Sequence, residues 1–96
     1  MIGSFVDAAT EDIFHGRDTK SARKIPKNIW PIARRKLDMI HAAASLDDLR
    51  VPPANRLEKL QGNLAGKFSI RINDQFRVVL AWDNGTAWEV QVRDYH

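Results

Sequence analysis

Residues 68–92 read FSIRINDQFRVVLAWDNGTAWEVQV, and this stretch decides the fold of the chain. Apolar and polar side chains alternate in three runs, which is the pattern of β-strands that bury one face. Asn73-Asp74 and Asp83-Asn84-Gly85 separate the runs and are typical turn sequences. The stretch therefore predicts three consecutive antiparallel strands with these residues on the buried face: Phe68, Ile70, Ile72, Phe76, Val78, Leu80, Trp82, Trp88, Val90 and Val92.

The register of these strands follows from keeping apolar residues opposite one another. In the first hairpin, a three-residue loop pairs Ile72 with Phe76 and places Arg71 opposite Arg77. In the second hairpin, the same argument predicts the pairs Trp82–Thr86, Leu80–Trp88, Val78–Val90 and Arg77–Gln91, with Arg93 diagonal to Arg77. Like charges that face each other destabilise a sheet, so the facing arginines indicate an anion-binding site.

The chain before these strands predicts two helices. Asp7–His15 is the first, with Gly16 as its stop, and Ile2–Phe5 can form a short strand before it. Asn28 is expected to cap the second helix, whose apolar stripe is Ile29, Ile32, Ala33, Leu37, Ile40 and Ala44. We expect an α+β fold, with two N-terminal helices packed on one face of a small twisted antiparallel sheet. One domain is expected to span residues 1–96.

The opposite face of the sheet is expected to stay open. It carries Arg71, Arg77, Gln91, Arg93 and Tyr95, and a basic surface with an aromatic side chain is suited to single-stranded RNA. A second basic feature lies between Thr19 and Leu37, where seven cations and no acid occur. Such a run predicts binding to a polyanion.

Composition excludes several classes of protein. The chain of 96 residues has no cysteine, which excludes disulfides and thiolate metal sites. His15, His41 and His96 lack the spacing of a zinc site, so we expect no metal and no cofactor. No apolar run is long enough to cross a membrane and no signal peptide is evident, so we expect a cytoplasmic protein.

Asp94-Tyr95-His96 follow the last predicted strand and place a carboxylate, a phenol and an imidazole side by side. All three groups can bind or move protons, and upstream strands aim arginines at the same region. This combination predicts chemistry on a phosphate group, with RNA as the substrate.

Three segments resemble one family: residues 55–63 (NRLEKLQGN), residues 69–77 (SIRINDQFR) and the triplet at 94–96. Together they resemble the HigB toxins of the RelE/ParE superfamily, in particular the GraT-like "killer protein" branch. The resemblance implies a RelE-like fold and a metal-independent endoribonuclease that cuts mRNA in the ribosomal A site. It also implies a HigA-type helix-turn-helix antitoxin as partner, with operator DNA bound only through the antitoxin complex.

The resemblance also assigns site residues. The C-terminal motif corresponds to Asp94, Tyr95 and His96, and the strand arginine that meets the scissile phosphate corresponds to Arg77. A histidine and a lysine of the best-known HigB pattern are replaced by Glu58 and Gln61, so Lys59 or Lys67 is the candidate substitute. We expect contacts to RNA or ribosome from Arg71, Arg93, Arg56, Lys59, Gln61, Lys67, Arg34 and Arg35.

Two other functions remain open at this point. A ParE-like toxin shares the fold but poisons DNA gyrase, and a binding module would grip RNA or ribosomes without cutting. Structural roles also remain open for single residues: Arg77 could pair with Glu89 or Asp94, and Trp82 and Trp88 are expected in the core.

Overall fold

Two helices precede a four-stranded antiparallel sheet in the computed structural model, which describes residues 1–95. The elements are α1 (Ala8–Phe14), α2 (Trp30–Ala42), β1 (Glu58–Lys59), β2 (Phe68–Arg71), β3 (Phe76–Asp83) and β4 (Thr86–Asp94), with strand order β1-β2-β3-β4. This architecture confirms the predicted α+β class and adds the short edge strand β1. None of the described helices is long and apolar enough to span a membrane.

Both helices pack on one side of the sheet, which we call the helix face. Leu37 and Ile40 of α2 are fully buried, as are Ile70, Val78 and Val90 of the strands. Burying such side chains stabilises the fold by roughly 1.5–3 kcal/mol each. The predicted stripe is confirmed along α2, except that it ends one residue early.

That exception is Ala44, which is exposed, whereas Ala43 is buried. The helix ends at Ala42, so helical periodicity no longer applies beyond it. Immediately afterwards, the carboxylate of Asp48 accepts hydrogen bonds from the backbone N–H groups of Ala44 and Ser45. Ser45 and Asp48 thus form a capping box for the turn Leu46–Arg50.

The helix N-termini differ from each other. Asp7 caps α1, because its Oδ1 accepts the N–H of Thr10 at 2.9 Å, and Gly16 follows the helix with a φ of 71°. No side chain caps α2, so the predicted role of Asn28 is wrong. A 3-10 turn at Lys27–Ile29 runs directly into α2 and places Asn28 inside the turn instead of before the helix.

The first hairpin has the predicted register. Ile70 lies opposite Val78 and Arg71 lies opposite Arg77. The Oδ1 atom of Asn73 accepts the N–H groups of Gln75 and Phe76 at 2.9 and 2.7 Å, which closes the loop.

The second hairpin corrects the prediction. Its turn has only two residues, Asn84-Gly85, both with positive φ, and it pairs Asp83 with Thr86. The one-residue difference is compensated by a β-bulge at Glu89, which has a φ of 53°. Beyond the bulge, Val92 lies opposite Val78 and returns the apolar side chains to the helix face.

The bulge changes two of the predicted neighbours. Arg77 lies opposite Arg93, where Gln91 was expected. Trp88 lies opposite Ala81 instead of Leu80 and is 42% exposed, so its predicted place in the core is wrong. The physical reason is that one additional residue in a strand moves every preceding side chain to the other face. Trp82 is half-buried against the core, as expected.

The segment before α1 runs along β4 in the parallel direction. Gly3 donates its N–H to the carbonyl of Ala87 at 2.7 Å, and Val90 donates to the carbonyl of Ser4 at 3.0 Å. The predicted first strand is therefore present as isolated bridges. The hydroxyl of Ser4 also accepts the N–H of Glu89 at 2.9 Å, which satisfies a donor of the bulge.

The other side of the sheet carries Arg71, Arg77 and Arg93, and we call it the arginine face. We predicted that this face stays open, and that prediction is wrong. Leu60, Ser69 and Val79 are buried, and Leu60 and Val79 do not belong to the main core cluster, so another part of the chain must bury them. The segment at residues 56–67, which includes β1, covers this part of the sheet. Sequence periodicity missed this cover because most of the segment lacks a regular pattern.

Candidate functional site

Three arginines form a row across neighbouring strands. Arg71 of β2 lies opposite Arg77 of β3, which in turn lies opposite Arg93 of β4. Adjacent strands are about 4.8 Å apart, so three positive charges are concentrated in a short distance. Facing like charges destabilise a sheet, and a bound anion would relieve this repulsion. The arginine row is therefore suited to an anionic ligand, and its arginines are closer together than the sequence predicted.

Arg77 at the centre of the row is held in one orientation. Its side chain is only 12% exposed, its Nε donates to the Ser69 hydroxyl at 2.7 Å, and its Nη2 donates to the Arg56 carbonyl at 2.7 Å. A guanidinium has five N–H donors, so others remain for a ligand. The Glu58 carboxylate lies 3.8 Å away, whereas Glu89 pairs with Lys67 at 3.6 Å. A fixed, partly desolvated arginine is suited to bidentate phosphate binding.

The flanking arginines are less constrained. Arg71 donates to the carboxylate of Asp74, which is itself almost fully exposed, and Arg93 is exposed at the end of β4. A surface ion pair of this kind contributes little to stability and is screened by salt. Both side chains can therefore reorient toward a ligand more easily than Arg77.

The C-terminal motif meets the arginine row. Tyr95 is 40% exposed, and its N–H donates to the carbonyl of Gln75 at 2.6 Å, which fixes the backbone after β4. Asp94 accepts a hydrogen bond from the side-chain amide of Gln75 at 3.1 Å. His96, the third predicted residue of the motif, lies outside the described residues.

A groove of about 450 Å³ joins this motif to the segment before β2. Arg93, Asp94 and Tyr95 line one side, and Gln61, Asn63 and Leu64 line the other. The structure thus brings Gln61 to the C-terminal motif across more than thirty residues of sequence.

The remaining predicted contacts are more scattered. Arg56 is exposed, and its carbonyl accepts a hydrogen bond from Arg77. Lys59 is exposed on β1, and Lys67 forms an ion pair with Glu89. Arg34 and Arg35 lie on α2. The Arg34 guanidinium is directed toward the end of α1, because a β-carbon added to Gly16 would lie 2.9 Å from its Nη1. These two arginines do not form part of the groove.

The basic run between Thr19 and Leu37 is not one continuous surface. Arg23 and Lys27 both pair with Asp18 at 2.9 Å, and these hydrogen bonds, that from Lys27 first, hold the pKa of Asp18 below its usual value. Lys36 is buried. Folding therefore neutralises or hides much of the charge that the sequence presents as a block.

Two supporting residues were missed from the sequence. Ser69 orients Arg77, and Asn55 is fully buried directly before Arg56. Asn55 accepts a hydrogen bond from Lys36 Nζ at 2.5 Å and donates to the carbonyls of Leu49 and Val51. The polar Ser69 beside an arginine pair was a usable signal, whereas the partners of Asn55 are too distant in sequence to be read from it.

Burial of Lys36, followed by the charges of Arg35 and Arg71, lowers the pKa of its ammonium group. Among residues 1–95, no group of three histidine, cysteine or acidic side chains lies close enough together to hold a metal ion. The arginines of the site can bind an anion, and the groove places Tyr95 next to Arg93. Asp94 lies opposite Phe76, so strand alternation directs its side chain toward the helix face, away from the arginine row.

The chain is similar to known toxins in sequence and in fold. The chain is 47% identical over 87 residues to the toxin HigB-1 of Vibrio cholerae serotype O1, which covers 91% of this chain and 90% of that toxin. An uncharacterized protein of Haemophilus influenzae is 45% identical over 67 residues, which covers 70% of this chain and 64% of that protein.

A chain of the heterotetrameric YoeB–YefM toxin–antitoxin complex from Staphylococcus aureus shares the fold, with a TM-score of 0.60 and 19% identity over 100% of this chain and 98% of that one. Residues 3–96 match the sequence model of the RelE-like toxin of the type II toxin–antitoxin system HigB. The chain therefore belongs to the HigB-like family of RelE-like toxins.

Proposed function

We propose that this toxin is a ribosome-dependent endoribonuclease that cuts mRNA in the A site and thereby stops translation and growth. Toxins of the HigB and RelE type are generally ribonucleases. The observation that carries the proposal is the row formed by Arg71, Arg77 and Arg93, with Arg77 fixed by Ser69 and the Arg56 carbonyl.

The chemistry needs no metal. The 2′-oxygen of the RNA attacks the adjacent phosphorus, the bond from phosphorus to the 5′-oxygen breaks, and the products are a cyclic phosphate and a free 5′-hydroxyl. A base must take the 2′ proton, cations must stabilise the charge that develops on the phosphate, and an acid must protonate the 5′-oxygen. We assign these roles to the arginine row and to the triplet Asp94-Tyr95-His96.

Arg77 holds the scissile phosphate, because its orientation is set before any ligand arrives. Arg71 and Arg93 stabilise the charge from either side. Tyr95 and His96 are the proton-transferring groups, and Asp94 orients them or accepts a proton. Gln61 contacts the RNA from the opposite side of the groove as a neutral hydrogen-bonding group.

The proposal includes its partners. As a type II toxin the protein is neutralised by an antitoxin, for which we propose a HigA-type helix-turn-helix protein that also carries the complex to operator DNA. The ribosome and its mRNA are the proposed targets in the cytoplasm. Arg34, Arg35, Arg56, Lys59 and Lys67 are proposed to contact ribosomal RNA or mRNA around the site.

Primer extension on a defined mRNA, with and without translating ribosomes, tests this function. We expect in-frame cuts only in the presence of ribosomes, and we expect Arg77→Ala to slow them about 10²–10³-fold. Arg50→Ala is the matched control, because it removes an exposed arginine that pairs with Asp47 and does not line the groove. Cuts without ribosomes would indicate a free ribonuclease. Growth arrest without any cut would refute the nuclease and favour a gyrase poison or a non-cleaving ribosome binder.

A further inference from the structure

Trp88 is an exposed aromatic residue on the arginine face. It lies opposite Ala81, and Ala81 shares its face of β3 with Arg77 because the two are four residues apart. A strand rises about 3.3 Å per residue, so Ala81 and its neighbour Trp88 lie about 13 Å from Arg77 along the strand direction. The indole is therefore on the same surface as the proposed scissile phosphate, beyond the covered centre of the sheet.

The backbone of Gly3 and the bulge at Glu89 fix the position of this indole. A β-carbon added to Gly3 would lie 2.6–2.8 Å from three carbons of the Trp88 ring, so the ring rests directly on the Gly3 backbone. The bulge at Glu89 turns Trp88 away from the core, and the Ser4 hydroxyl secures that bulge. Bulges often re-aim a side chain beside an active site. The ring has one face against the backbone and is still 42% exposed.

Cationic side chains lie beside the neighbouring residue of β4 and farther along the arginine face. Lys67 ends with its ammonium 3.6 Å from the carboxylate of Glu89, the residue next to Trp88, and the arginine row lies farther along the same face. A flat aromatic surface next to cationic groups is how proteins bind single-stranded nucleic acid, because every base can stack and every phosphate is negative. The combination distinguishes Trp88 from an exposed apolar residue that merely remains on a protein surface.

We propose that Trp88 stacks a base of the RNA substrate, a few nucleotides from the phosphate held by Arg77. This inference rests on the proposed nuclease function and adds a second contact to it. A stacked base fixes the strand at a distance from the reacting phosphate, so Trp88 contributes to substrate binding and to the positioning of the strand.

The test is the affinity of the purified protein for a fluorescein-labelled single-stranded RNA of nine nucleotides, measured by fluorescence anisotropy at one fixed salt concentration. Trp88→Ala is expected to weaken binding about tenfold, and Trp88→Phe is expected to retain most of the affinity because it keeps an aromatic face. Gly3→Ala pushes the ring from its position and is expected to weaken binding with Trp88 still present. Val51→Ala is the control, since it truncates a 72% exposed apolar residue that lies outside the strands.

The proposal is wrong if both Trp88→Ala and Gly3→Ala bind the RNA as tightly as the wild type. That conclusion also holds if these variants bind the antitoxin more weakly while their RNA affinity is unchanged. Cleavage of ribosome-bound mRNA by the wild-type protein separates the two hypotheses. If the wild type cuts and Trp88→Ala binds RNA equally well, the stacking role is wrong while the nuclease stands. If the wild type binds RNA through Trp88 but never cuts, the nuclease is wrong while the stacking role stands.

Discussion

Asn55→Ala is the substitution whose effect can be worked out most fully from the structure. Asn55 is fully buried and connects three parts of the chain: Lys36 of α2, the carbonyl of Leu49 and the carbonyl of Val51. Its own backbone leads directly into Arg56, whose carbonyl orients Arg77. The side chain therefore supports both the fold and the site.

The loss in the free energy of unfolding can be estimated from the polar groups that lose their hydrogen-bond partner. Removal of the amide takes the acceptor from the buried ammonium of Lys36, and a hydrogen bond to a charged group is worth about 1.5–3 kcal/mol. Two carbonyls also lose a donor at 3.2 and 3.4 Å. Because an uncompensated buried charge costs about 3–5 kcal/mol, we expect the free energy of unfolding to fall by about that amount. A loss of this size removes much of the stability of a small domain.

Urea denaturation followed by circular dichroism measures the effect, with the exposed Asn63→Ala as the matched control. The decisive variant is Lys36→Met. In the wild type it should destabilise, because Asn55 Oδ1 loses its donor, whereas in the Asn55→Ala background it should stabilise, because it removes the unpaired charge. If Lys36→Met has the same sign in both backgrounds, the two residues are not coupled as we infer.

Three further results are expected. Arg77→Ala should slow single-turnover cleavage of ribosome-bound mRNA by about 10²–10³-fold, with Arg71→Ala affected less because Asp74 already pairs with Arg71; equal losses would contradict the central role of Arg77. Glu89→Gly should raise the urea-measured stability by about 0.5–1 kcal/mol, because glycine tolerates the φ of 53°; Glu89→Ala keeps the strain, and an equal gain there would assign the effect to the lost side chain. The third result concerns pH. Lys36 has a folded pKa below the usual 10.5, so between the lowered pKa and 10.5 the unfolded chain binds more protons than the folded one. Stability relative to Lys36→Met should therefore rise with pH across that window, and a flat difference in urea titrations would refute the shift.

The sequence predicted the sheet well where local rules operate. The alternation of apolar residues and the Asn73 turn set the register of the first hairpin, because both act over a few residues. The second hairpin was wrong by one residue, since the two-residue turn at Asn84-Gly85 requires a bulge that depends on the N-terminal segment. Contacts between Ser4 and Glu89, far apart in the chain, leave no trace in local periodicity.

In the candidate site, too, local features were predicted correctly and features that depend on long-range contacts were missed. Alternation placed Arg71, Arg77 and Arg93 on one face, because side chains two residues apart along a strand share a face. The sequence did not predict that Arg77 is oriented by Ser69 and a carbonyl of the covering segment. It also overestimated the basic run, because ion pairing to Asp18 becomes visible only when the chain is folded.

The main elements could be predicted without the structure: two helices, three antiparallel strands, arginines on one face and the triplet Asp94-Tyr95-His96 after the last strand. These follow from side-chain periodicity and from residue chemistry, both of which are local. Only the tertiary structure decided that Arg93 faces Arg77, that the arginine face is partly covered, and that Trp88 is exposed. Each of these features depends on contacts between distant parts of the chain. In β4, the one residue inserted at the bulge decides which face of the sheet the side chains between the turn and the bulge occupy.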